Sequence, residues 1–286
     1  MYLKYFGLRE LPFTITPDTG FFMNRAGYQD ALNVLLIALR SGEGFVKVTG
    51  EVGVGKTLLC RKLIKSLDMN YVTAYIYNPY LQPETLLYAI ADEINVVYEP
   101  DINRHVLEKN ITAALQDIHA NNKQMILCLD EAQAMPIKTL EVIRLLTNIE
   151  TEKKKLIQVV LFGQPELDAV LEHPSIRQLK QRITYSYKLL PLNRAALGKY
   201  VQHRLVVAGG AGNNLFSHTV LNQLHKASGG VPRLVNILCH KSLLATYGDG
   251  SRSVKSRHMQ AAIKDTMEAQ TVKSRGWFDW LPLFSR

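Results

Sequence analysis

Eight residues beginning at Gly50 carry the spacing Gly-x-x-x-x-Gly-Lys-Thr: Gly50, then Glu51, Val52, Gly53 and Val54, then Gly55, Lys56 and Thr57. The glycines permit a tight loop whose backbone N–H groups turn toward one point, an anion-binding concavity. A helical run follows directly, and its leading end adds positive charge. In such an arrangement the backbone from Gly50 through Leu58 cradles nucleotide phosphates, Lys56 reaches the β- and γ-phosphates, and Thr57 ligates magnesium. A glycine-rich turn that binds nothing has the same composition, so the surroundings must decide.

Phosphate chemistry also needs a carboxylate to complete the metal's shell and a second group to aim water. The apolar run 125–129 ends in Asp130 and Glu131. Asp130 suits the metal, and Glu131, one step further on, suits the orientation of water for in-line attack on a γ-phosphate. Alone, an apolar run ending in Asp-Glu is a strand closing in a charged turn. Beside the glycine-rich loop it is expected to complete a site for a nucleoside triphosphate, ATP foremost, with Mg2+.

Five apolar, β-branched runs position these groups as strands: 44–49, 71–77, 125–129, 156–162 and 184–190. Segments with helical spacing separate them, among them 27–40, 56–66, 83–94 and 137–149. Such alternation predicts an α/β fold, a five-stranded parallel sheet covered by helices on both faces. The phosphate loop then follows the first strand, and Asp130 stands at the sheet's carboxyl edge, where such sheets bind ligands. After Pro191 the strand pattern ends and helical segments follow, with Asn193 and Ser217 as N-caps and Pro232 in a first turn. The expected domains are a core over 1–190, a small helical domain over 191–268, and a tail over 269–286 with Trp277, Phe278, Trp280 and Phe284 beside basic residues.

At 286 residues and 47% hydrophobic content the chain can bury a substantial core. Three dispersed cysteines, Cys60, Cys128 and Cys239, indicate neither a disulfide framework nor a zinc site. No signal-peptide pattern and no run of about 18 apolar residues occurs, so a cytoplasmic location is expected. The net charge of +9 favours anionic partners, nucleic acid or an anionic bilayer face, unless it is only a solvated basic surface.

The chain resembles the AAA+ ATPases, in the group containing general secretion pathway protein A and the MSHA pilus biogenesis protein M, the second of which also matches in length. The resemblance rests on F-G-L-R-E-L-P-F at 6–13, the loop at 50–57, L-D-E-A-Q at 129–133, V-L-F-G-Q-P-E-L at 160–167, Q-L-K-Q-R-I at 178–183 and G-V-P-R at 230–233. It implies a P-loop AAA+ αβα core followed by a helical lid, with the N-terminal segment 1–27 bordering the base. It further implies that the acidic strand does not neighbour the loop strand. Gln164 takes the place of a polar γ-phosphate sensor, and Asn78 that of the residue restraining the catalytic glutamate, although a turn-forming Asn before Pro79 reads equally well. Arg182, or alternatively Arg177, takes the place of an arginine presented to a neighbouring subunit's nucleotide, which implies a homo-oligomer. Arg233 matches a second sensor that couples hydrolysis to domain movement.

The resemblance implies work with inner-membrane pilus or secretion assembly components. General secretion pathway protein A continues into a membrane span, whereas this sequence stops at Arg286, so peripheral anchorage is expected through a partner or through the tail at an anionic membrane surface. A DNA-acting AAA+ ATPase such as a transposition helper is the alternative, motivated by the positive charge. A slow nucleotide-dependent switch would use the same motifs.

Overall fold

The computed structural model describes residues 2–23, 26–150, 154–210 and 215–269. The expected tail, apart from Ala269, therefore lies outside the described residues. The described residues form two compact units, one from the stretches 26–51 and 56–189, the other from those within 2–23, 52–55 and 190–269.

The larger unit is built on five parallel strands: β1 (Phe45–Thr49), β2 (Tyr71–Ile76), β3 (Gln124–Leu129), β4 (Ile157–Gly163) and β5 (Ile183–Lys188). Their spatial order is β2-β3-β4-β1-β5, so β4 separates the loop strand β1 from the acidic strand β3. Every β4 residue is buried, as a central strand covered on both faces requires. Along β3, Met125, Leu127 and Leu129 join one apolar cluster with Leu86, Ile111 and Ile143, contributed by α4 (Pro83–Glu93), α5 (Arg104–Ala120) and α6 (Ile137–Leu146). The alternate residues Ile126 and Cys128 point the other way and are equally buried. Helices α2 (Ala26–Arg40) and α3 (Lys56–Ser66) also pack on the sheet, against β1 and β5 and against β4 respectively, and three short helices, α1 (Leu3–Phe6), α7 (Glu166–Leu171) and α8 (Arg177–Gln181), lie elsewhere in the chain. The strands fall within two residues of their expected limits at each end. Helix α5, 17 residues long, was not among the segments singled out from spacing.

Strand β2 is an edge, and an edge strand carries unpaired backbone donors. Here the Tyr75 N–H donates to Glu93 Oε2 at 2.8 Å, so the C-terminal residue of α4 caps it.

The smaller unit gathers α9 (Arg194–Val207), α10 (His218–Ser228), α11 (Pro232–Gly248) and α12 (Ser256–Lys264). Asn193 caps α9 through Ala196 N–H, Ser217 caps α10 through Val220 N–H, and Pro232 opens α11. The residues before Arg25 differ from the expectation that they belong to the core domain: Tyr2, Phe6, Leu8, Phe13 and Phe21 share one apolar cluster with Leu205, Leu238 and Met259. Their aromatic rings need a large buried surface, which this helical unit supplies. The buried Arg204 guanidinium fastens the segment, donating to Pro12 O, to Thr14 Oγ1 at 3.3 Å and to Tyr200 Oη at 3.0 Å, while its cationic carbon lies 4.5 Å from the Phe21 ring centroid. Asn236 adds a bond to Thr14 O at 2.9 Å. Among the described residues no helix is long and apolar enough to cross a membrane.

Candidate nucleotide site

The loop after β1 is held where the strands end. Gly50 N–H donates to Gly163 O of β4 at 3.2 Å, and Leu189 N–H donates to Thr49 O at 2.7 Å. Gly53 and Gly55 adopt φ of 79° and 104°, in the region that side chains disfavour, which explains why glycine stands at both places. The Lys56 side chain is buried, and its ammonium donates to Gly50 O at 2.7 Å and Glu51 O at 3.2 Å. Burial pulls its pKa below the usual lysine value, and the carboxylates of Glu131, Asp130, Glu51 and Glu166 oppose that shift. Burial thus disfavours the charged ammonium, and the surrounding carboxylates offset part of that cost.

Parallel pairing carries Asp130 to the same edge, with its N–H bonded to Ile76 O of β2 at 3.0 Å. Asp130 Oδ2 accepts the Thr57 hydroxyl at 2.7 Å, joining residues 73 positions apart. The same oxygen accepts the Tyr75 hydroxyl at 3.2 Å, and Oδ1 accepts Glu131 N–H at 3.0 Å. Burial and the adjacent Asp130 charge push the Tyr75 phenol well above its ordinary pKa, so it remains a donor at neutral pH.

Glu131 sits at φ 53°, ψ 37°, a left-handed conformation that costs a non-glycine residue about 1 kcal/mol. Its carboxylate is clamped. Oε2 accepts Gln133 Nε2 at 2.7 Å and Gln164 Nε2 at 3.0 Å, while Gln133 Oε1 accepts the Gln164 backbone N–H at 2.9 Å. Burial tends to raise the carboxyl pKa, but the two amides and Lys56 outweigh it, and the net value lies below the usual 4.5. A carboxylate this acidic orients and polarises water rather than holding its proton in the ground state.

Of the residues expected from sequence, Lys56, Thr57, Asp130, Glu131 and Gln164 meet at one sheet edge. Asn78 does something local: its side-chain oxygen accepts Tyr80 N–H at 3.1 Å, an Asx turn, and the amides on Glu131 come from Gln133 and Gln164 instead. Arg182 is tied down, Nη1 donating to Thr147 Oγ1 at 3.1 Å and to Arg144 O at 3.3 Å. Arg177 is exposed and makes no side-chain hydrogen bond or ion pair among the described residues. Arg233 N–H donates to Gly53 O at 3.1 Å, both residues lying in the smaller unit, and the Arg233 side chain is exposed. Two residues escaped sequence reasoning. Gln133 belongs to the L-D-E-A-Q stretch, two positions past Glu131, and that closeness was its signal; Tyr75 had none beyond its place near the end of β2.

The strand order, the loop after β1 and the acidic pair after β3 together define the AAA-type P-loop ATPase fold. Residues 39–171 match a family model described as an AAA domain. Over 254 residues, 89% of this chain, the sequence is 43% identical to general secretion pathway protein A of Aeromonas hydrophila, and it spans only 46% of that protein's length. Cdc6p from Pyrobaculum aerophilum shares the fold with a TM-score of 0.66 at 20% identity, covering 87% of this chain and 71% of that one. ORC2 of Aeropyrum pernix, solved as ADPNP-ADP complexes, has a TM-score of 0.63 at 16% identity over 87% of this chain and 72% of its own.

Proposed function

We propose that this chain binds ATP with magnesium and hydrolyses it, and that hydrolysis drives assembly of type IV pilus or secretion machinery at the inner membrane. The observation that carries the chemistry is the 2.7 Å bond from Thr57 to Asp130, which joins the phosphate loop to the acidic strand beside a clamped Glu131. Hydroxyl and carboxylate oxygens are hard donors that suit magnesium, which takes few protein ligands and completes its shell with phosphate oxygens and water. Thr57 and Asp130 would hold the ion, whose charge offsets that developing on the β- and γ-phosphate oxygens. Backbone N–H groups of the loop and the Lys56 ammonium grip the triphosphate. Glu131 presents its other oxygen to the attacking water, and Gln164 and Gln133 keep the carboxylate charged and aimed. Arg233 reads the nucleotide from the first turn of α11.

Identity of 43% to a general secretion pathway protein supports the assembly role, and the MSHA pilus is our specific reading of it. In this reading the protein acts as a homo-oligomer, with Arg177 or Arg182 completing a neighbour's site and the basic, aromatic tail meeting a partner or an anionic membrane surface. The deciding experiment is magnesium-dependent phosphate release by purified protein, wild type against Glu131→Gln. Retained ATP binding with lost turnover supports the chemistry; equal turnover removes Glu131 from its role. Tight duplex-DNA binding that stimulates turnover, persisting as salt rises, would instead favour a DNA-acting ATPase.

A further inference from the structure

Resting on the nucleotide reading above, we propose that the Tyr75 hydroxyl is a positioning group for the metal: it orients Asp130 and leaves that carboxylate one free acceptor for the ion's shell. Parallel pairing of β2 with β3 sets Tyr75 opposite Cys128, two residues before Asp130, and Asp130 N–H extends the ladder to Ile76 O. Tyr75 is itself held at two points, its N–H by Glu93 Oε2 at 2.8 Å and its hydroxyl by Asp130 Oδ2 at 3.2 Å. A continuous chain of contacts thus runs from α4 through Tyr75 and Asp130 to Thr57 at the start of α3.

A carboxylate has about four lone-pair sites. In Asp130, Oδ2 uses two, for Thr57 and Tyr75, and Oδ1 uses one, for Glu131 N–H. The remaining acceptor is therefore on Oδ1. Without the phenol, Oδ2 regains a free site and the carboxylate can meet the metal's shell in more than one way. Outer partners that orient a metal-binding carboxylate commonly matter about ten- to a hundredfold in metal affinity, and a 3.2 Å bond belongs at the lower end.

Tyr75→Phe deletes only the oxygen. Calorimetric titration with ADP, in excess magnesium and in chelator, separates metal support from phosphate grip. The expected result is chelator affinity within about twofold of wild type, with the magnesium-dependent gain reduced about tenfold. Thermal melting of the nucleotide-free protein should fall by no more than about 2–4 °C, the loss of one hydrogen bond; a merely structural role for the phenol would give that shift without the metal-selective loss. An undiminished magnesium gain in the variant overturns the role of Tyr75 alone, and so does an equal loss with and without metal. Wild-type protein that gains nothing from magnesium overturns the nucleotide reading as well. Tyr75→Met, also lacking a donor, replaces the phenylalanine variant if that one does not fold.

Discussion

Gln164 donates its side-chain amide to Glu131 Oε2 at 3.0 Å, so the first residue past β4 holds the carboxylate of the second residue past β3. Gln133 donates to the same oxygen and also accepts the Gln164 backbone N–H, which makes the three residues one triangle. The bonds favour the ionised form of Glu131 and engage one of its two oxygens, Oε2.

Glu131→Gln should reduce turnover by about a hundred- to ten-thousandfold, the range for losing a positioned acid–base group, while ATP binding persists. Single-turnover phosphate release together with fluorescent-nucleotide binding checks this, and parallel losses of both would point to a damaged loop.

The pH dependence follows from the sign of the Glu131 shift. A depressed carboxyl pKa means that its favourable contribution is complete above the ordinary value of 4.5 and is lost as pH falls through the lower folded value. Turnover should therefore show no loss from Glu131 between about pH 7 and 5. Gln164→Leu removes one of the two amide donors, so the acid limb should move to higher pH; a rate profile of both proteins measures the displacement.

Arg177 and Arg182 should separate by two measurements. Arg182→Ala removes bonds to Thr147 and Arg144 and should cost about 1 kcal/mol, a melting shift of about 2–4 °C. Arg177→Ala should leave melting unchanged. If the exposed Arg177 completes a neighbour's site, mixing Arg177→Ala with Lys56→Ala subunits should restore activity; rescue by Arg182→Ala instead would assign the part to Arg182.

Gly230 has φ of 74°, and a Cβ there would lie 2.0 Å from Leu192 O, whose own N–H bonds Gly230 O at 2.8 Å. Both the backbone region and the space exclude a side chain. Gly230→Ala should destabilise the helical unit by more than about 3 kcal/mol, read by urea unfolding. A loss under about 1 kcal/mol would mean that the turn re-forms around the methyl group.

Sequence alone determined the phosphate loop, the acidic pair, the five strands and the caps at Asn193 and Ser217. Each depends on neighbours within a few residues: glycines where φ turns positive, a carboxylate where an apolar run stops, a side-chain oxygen ahead of a helix. The bond of Gln164 to Glu131, the Tyr75 bond to Asp130, the tethering of Arg182 and the burial of the first aromatic residues in the helical unit were decided by tertiary structure. Those contacts join segments whose separation in the chain has no period, and only strand order and packing bring them within hydrogen-bond or van der Waals reach.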